Sequence, residues 1–527
     1  MSSENNQQLH DGRSLPLLKR VKEFTPLVLF MTIYLSVTAW NYGYDIAVFG
    51  GVQAMEPFIA KFGVCSSATH VCAIPPYLAS IMNSFPYLGK LIGCWIAAPV
   101  AEKFGRRIAI LIITFTSFVQ VVFLLPFRLC GVILQISASS AAQFTIGRML
   151  CYGMTGICVI VMPAFMAECA PASLRGMITS QLQGQIVTAQ LIATVVNYKT
   201  STIHSNNGWR ISVGIQFVMP VILLLLFPFI IESPRWLLSA GRIDEASKSL
   251  QKLRKKTEYD VRDEMSLLAS SEGNEEKGTW KEVFDGNNRR RTGIAVIAMV
   301  GQQITGQAFA TQYSVVFYKQ QGFKNSFALG LIMQALGVTA VLITTTIVDS
   351  FGRRRLLIGG GIMQSVFLYI MGSIGTITKP SDVQKKVMVA GFMLFFFLYL
   401  TAWAPLSYVV LGEASTRRLV EKTSNLAVSL SVTTAFVVSF TVPYLIGIQY
   451  ANLGGKVGFI YGSLSILVSI MTFVFIPEMK GRSLEELDTL FAEKTPTRSF
   501  RHAVVVTNVL RSEKGVTDAA VIEAETE

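Results

Sequence analysis

Charge is scarce in this sequence. Asp, Glu, Lys and Arg make up 15% of its 527 residues, where soluble domains carry about 25%. That deficit excludes a chain folded wholly in water. Histidine is scarce too: His10, His70, His204 and His502 are the four, and each falls in a tail or a loop. No cluster of ligands, and no nucleophile beside a base, stands within an apolar segment, so neither an enzyme nor a metal or other cofactor is expected. The seven cysteines are scattered without metal spacing. Cys94, Cys151 and Cys158 lie in apolar runs and read as small core residues. Cys65 and Cys72 share a loop expected outside the cell, where a disulfide between them is open. The sequence has no Asn-x-Ser/Thr sequon, so N-glycosylation is not expected. The polar first 25 residues contain no short apolar core, so no cleavable signal peptide is expected.

Apolar residues are plentiful, at 51% with a mean hydropathy of +0.48. Because the few charges are clustered, the runs between them reach roughly 20 residues, enough to cross a ~30 Å hydrocarbon layer as helix. Twelve such windows can be read: 25–49, 78–100, 108–127, 143–167, 177–197, 210–231, 292–316, 327–348, 355–377, 387–411, 423–447 and 456–476. The expectation is an all-α membrane protein with twelve transmembrane helices. The net charge of +13 suggests nucleic acid at first sight, but no basic groove with interleaved aromatics occurs. Instead Arg and Lys gather in the tails, two Arg-Arg turns and one central loop, which the positive-inside rule places in the cytosol. Both termini are therefore expected there, in a cell membrane. In the central loop, the run from Asp244 to Leu253 has amphipathic helical spacing.

Phe104-Gly105-Arg106-Arg107 returns as Phe351-Gly352-Arg353-Arg354, each two residues after an acid, Glu102 or Asp349. The offset is 353 − 106 = 247 residues, and Glu168 with Glu413 and Glu232 with Glu478 repeat within two residues of it. A shared offset implies a duplicated unit with the substrate site between its copies. The expected domains are a cytosolic tail 1–24, a six-helix half 25–231, a cytosolic helical loop 232–291, a second six-helix half 292–476 and a cytosolic tail 477–527.

These turns, with Gly43-Tyr44-Asp45, Gly147-Arg148, Glu168 to Arg175, Glu232-Ser233-Pro234-Arg235, Gln302-Gln303 and Pro477-Glu478, make the chain resemble the sugar porters of the major facilitator superfamily along nearly all its length. Tyr408 to Arg417 and the tail from Leu484 resemble fungal α-glucoside and hexose permeases most. The resemblance implies alternating access between two pseudo-symmetric halves in a monomeric carrier, with a small sugar and a proton as partners alongside the bilayer.

At the cytosolic mouth, arginines can bridge carboxylates at neighbouring helix ends in bidentate pairs. Glu102, Arg106, Arg107, Glu168, Arg175, Glu232 and Arg235 in the first half, with Asp349, Arg353, Arg354, Glu413, Arg417, Arg418 and Glu478 in the second, form a candidate cytosolic gate. Val420 stands where the second half would repeat Arg175. Asp45 lies in an apolar span, where a carboxylate costs around 3 kcal/mol and is functional by default; Arg148 is its expected counter-charge. In proton-coupled members of the family the matching acid is the proton site, so proton symport is expected, worth ~2.3 kcal/mol per 100 mV for a neutral sugar. A structural ion pair in a facilitator is the rival reading. Gln183, Gln302 and Gln303 match the family's sugar-binding amides; Gln307, Tyr313 and Tyr408 join them as candidate substrate contacts, with Gln302, Phe309 and Tyr313 on one helical stripe. Ala308, Gly337 and Ala435 stand where hexose-binding relatives have Asn, which implies either a wider or differently lined cavity for a disaccharide, glucoside or less polar substrate, or a degenerate, non-transporting member. A non-transporting sensor is disfavoured by the short tail after Phe500. Against the family's usual spacing the stretch from Arg107 to Gly147 is longer, with an extra segment near Val121 to Cys130, either an extracellular insertion or a gene-model error.

Overall fold

The computed structural model of the chain describes residues 25–65, 72–118, 131–170, 175–254, 261, 265–266, 278–416, 418–447, 449–482, 484–500 and 503. The suspected insertion at 121–130, most of both tails and Arg417 lie outside these residues, as do the side chains of Arg175 and Asp349. Each of the twelve windows is helical over most of its described residues. The first span, Pro26–Val52, begins where Thr25 accepts a hydrogen bond from the Val28 amide and Pro26 fixes the first helical φ, the arrangement helix starts favour. The tenth span begins at a capping box, Ser381 with Gln384, and breaks at Ala402 before continuing as Trp403–Ala414.

Seven helical segments of the described residues are long and apolar enough to cross a membrane: those of the fourth, sixth and eighth to twelfth windows. The other five have identifiable reasons for falling short. The first holds buried Asn41 and Asp45, the second buried Asn83 and Lys90, and the fifth buried Gln190 and Asn197. The third is described only through Phe118. The seventh is broken: Gly286–Ile304 ends and Gln307–Gln320 begins at Gly306, whose φ of +99° excludes most L residues. That break also separates Gln302 from Phe309 and Tyr313, so the continuous stripe expected from sequence is not formed.

Each half has its own apolar core, one centred on Met31, Leu35, Met162 and Phe165 and the other on Phe309, Phe317, Phe392 and Trp403. Large apolar side chains such as Leu29, Ile92, Leu225, Leu342 and Phe475 face outward, as a hydrocarbon surrounding requires. In lipid, close backbone packing replaces the hydrophobic effect as the glue between helices. The second span, Pro76–Phe104, packs on the fourth, Ala141–Cys169, in this way. Gly89 and Gly93 lie directly against the carbonyls of Met149 and Gly153, leaving no room for a Cβ.

The linker contains the helix Ile243–Arg254, as the amphipathic spacing indicates. Away from the basic turns, the strands Val64–Cys65 and Cys72–Ala73 form a small antiparallel hairpin joined by a Cys65–Cys72 disulfide.

The halves are stitched together at the end opposite the basic turns. Gln53 Nε2 donates to the Gln312 carbonyl (2.5 Å) and Gln312 Nε2 to the Tyr87 hydroxyl (2.7 Å). Ser80 Oγ donates to the Phe440 carbonyl (2.7 Å) and Lys319 Nζ to the Ala54 carbonyl (3.2 Å). Gln312 also accepts from Ser439 Oγ at 3.2 Å. Gln312→Leu is expected to loosen this rim. The check is a cysteine at Ile186, which lines the cavity below: an impermeant thiol reagent applied from the hairpin side should label it severalfold faster in the variant.

Candidate functional site

Between the halves lies a cavity with about 700 Å³ of space free of protein atoms, part of it open to solvent. Gln183, Gln302, Gln303, Gln307 and Tyr408 line it, together with Tyr42, Tyr87, Lys90, Gln190 and Tyr399. Gln302 is held by its Nε2 donating to the Ala404 carbonyl at 3.2 Å, in the tenth span's break. Gln307 follows directly on Gly306, so the kink in the seventh span turns its amide toward the same space. Tyr313 does not line the cavity. It is buried, with its hydroxyl donating to the Ser439 carbonyl at 3.1 Å. Of the three positions lacking the expected Asn, only Ala435 lines the cavity. Ala308 is fully buried, and the Cβ position of Gly337 is 2.7 Å from Leu400 Cδ1, so neither widens the space.

Asp45 and Arg148 are both buried, at 2% and 1% exposure, but they form no ion pair. Asp45 Oδ1 accepts from Gln216 Nε2 at 3.3 Å, and its Oδ2 has no hydrogen-bond partner. Arg148 Nη1 donates to the Met82 carbonyl at 2.5 Å and Nη2 to the Tyr152 hydroxyl at 3.3 Å. Its guanidinium lies 3.9 Å from the ring centroid of Phe49. Phe49 is one helical turn beyond Asp45, so the cation is a neighbour of the carboxylate with an aromatic ring as its immediate contact. The expected direct pairing is thus replaced by a neutral amide on the acid and a π face on the base.

The basic turns repeat their geometry. Arg106 grips Glu168, with Nη2–Oε1 at 2.9 Å and Nε at 3.2 Å from both carboxylate oxygens. Glu232 accepts from the backbone N–H groups of Arg106 (3.0 Å), Arg107 (3.1 Å) and Ser233 (3.0 Å). An acid at a helix N-terminus is favoured by the orphan amides there. Burial nevertheless pushes the Glu232 carboxyl above its ordinary range, against these donors and Arg106. In the second half Arg353 reaches Glu413 at 3.1 Å, and Glu478 accepts from the Arg353 amide at 2.9 Å. All these ties run within one half. Of the other gate candidates, Arg107 lies over the Phe227 ring and Arg354 donates to the Phe473 carbonyl. Arg418 pairs with Glu282 at 3.4 Å, the Glu102 carbonyl accepts from Trp236, and Arg235 is the second residue of the short helix Pro234–Ser239.

Lys90, Gln190 and Gln216 were not singled out in the sequence, although each is a polar side chain in an apolar window, the signal that marked Asp45.

Two six-helix halves around a buried, amide-rich cavity define a solute carrier rather than an enzyme. Residues 31–491 match the family described as "Sugar (and other) transporter", and the chain belongs to that family, a major facilitator with twelve membrane helices. It is 28% identical over 486 residues to the high-affinity glucose transporter ght2 of Schizosaccharomyces pombe, covering 90% of this chain and 88% of that one. It is 29% identical over 484 residues to the major facilitator-type transporter ecdD of Aspergillus rugulosus, covering 87% and 86%. In fold it is similar to the proton:xylose symporter XylE bound to 6-bromo-6-deoxy-D-glucose, with a TM-score of 0.70 at 21% identity, over 88% of this chain and 99% of that one.

Proposed function

We propose that this chain takes up a sugar-class solute together with a proton, by rocking its two halves about the central cavity. The observation that carries the reading is Asp45: a carboxyl buried in the first span, with one oxygen unpartnered and no cation paired to it. A structural ion pair would need Arg148 on that oxygen, and Phe49 occupies the guanidinium instead. An acid so placed gains and loses a proton as water reaches it. Directed amides from Gln183, Gln302, Gln303 and Gln307, with tyrosine faces from Tyr408 and Tyr399, suit a hydroxylated solute. The relatives named as a glucose transporter and a proton:xylose symporter support both parts of the reading. The basic turns belong in the cytosol by the positive-inside rule, and Arg106, Glu168, Glu232, Arg353, Glu413 and Glu478 brace the inner mouth. The rim at Gln53 and Gln312 then closes the outer one.

The test is uptake of labelled glucose, xylose and maltose in cells lacking their own carriers, with and without an uncoupler. Accumulation that collapses with the uncoupler is expected. Uptake that ignores it makes the chain a facilitator.

A further inference from the structure

Lys90 is the one charged side chain among the described residues lining the cavity. It sits in the middle of the second span and is 7% exposed. Its Nζ donates to the Tyr42 hydroxyl at 2.7 Å and lies 4.5 Å from that ring's centroid. An ammonium has three donors, so two remain without a protein acceptor. No carboxylate of the described residues lies within 4.0 Å of it. Asp45, one turn beyond Tyr42, accepts from Gln216 through Oδ1 and forms no ion pair with Lys90. The close approach of the second and fourth spans uses Gly89, Gly93, Gly156 and the Lys90 carbonyl rather than a charge. A cation 7% exposed with no carboxylate beside it is best complemented by an anion delivered into the same space.

Resting on the reading of this cavity as a sugar-class site, we infer that its substrate carries a carboxylate, as a sugar acid does, and that Lys90 receives it. The amides bind the hydroxyls and Lys90 binds the acid end, next to Tyr42. Selection among solutes then follows charge first and hydroxyl pattern second, because the charge-assisted contact is the stronger one.

The experiment uses the full-length chain in proteoliposomes with an imposed pH gradient. Uptake of labelled glucuronate and galacturonate is compared with glucose and galactose, in direct competition, for the wild type, Lys90→Met and Lys90→Arg. The wild type is expected to prefer each uronate over its neutral parent by tenfold or more. Lys90→Met should bring that ratio close to one, and Lys90→Arg should keep most of it. If neutral sugars move and uronates fail to compete in the wild type, the inference is overturned while the sugar-porter reading stands. If neither kind of sugar moves, both fall. Because the wild-type ratio decides by itself, the inference stays open to refutation even if Lys90→Met does not fold.

Discussion

Asp45→Asn is expected to abolish accumulation while leaving exchange of substrate across the membrane. The asparagine is isosteric, and its side-chain oxygen can still accept from Gln216 as Asp45 Oδ1 does at 3.3 Å. What disappears is the group proposed to carry the proton. For one proton per cycle, accumulation in the wild type rises about tenfold for each unit of pH gradient, since 1.36 kcal/mol is a factor of ten. In the variant this dependence should be flat, and the uncoupler should have no effect on its uptake. Measuring steady-state accumulation and counterflow side by side separates the outcomes. Full accumulation by Asp45→Asn removes the acid from coupling. Loss of counterflow as well would assign it to substrate binding.

The second large effect is on folding. Gly93→Val places a branched side chain where the Gly153 carbonyl already lies against the Cβ position, in the packed seam of the second and fourth spans. Overpacking usually costs about 1–3 kcal/mol, and a clash with backbone on both sides of a rigid seam belongs at the upper end. Fluorescence-detected gel filtration in mild detergent should show the monodisperse peak of Gly93→Val lost or strongly reduced. Gly359→Ala serves as the control: nothing lies within 4 Å of its Cβ position, and its peak should match the wild type. Equal behaviour of the two variants would refute the seam's role.

Much of the layout was legible because it rests on local rules. Run length located the helices, and the repeated Phe-Gly-Arg-Arg turns located the two halves. Near each turn the guanidinium meets one acid, Arg106 with Glu168 and Arg353 with Glu413, while Glu232 and Glu478 accept from the turns' backbone amides instead of the bidentate side-chain pairs expected. The cavity amides were legible for a similar reason: polar side chains at depth have few places to go. What sequence could not supply was which neighbouring helix fills the space beside a residue. Arg148 was expected on Asp45 by charge alone, but Phe49 follows Asp45 by one turn and takes the guanidinium, while Gln216 comes from a span 171 residues away. The kink at Gly306 was also hidden. A glycine in an apolar run is ordinary in membrane helices, and only its backbone angle reveals that it redirects Gln307.

The Gln53–Gln312 rim has an implication for how such carriers diverge. Its four hydrogen bonds between the halves, at roughly 1 kcal/mol net apiece, amount to a local barrier of about 4 kcal/mol. None of the four involves a cavity amide. Among the residues of these four bonds only Tyr87 also lines the cavity, so drift at Gln53, Ser80 or Lys319 can retune turnover without touching a cavity-lining side chain.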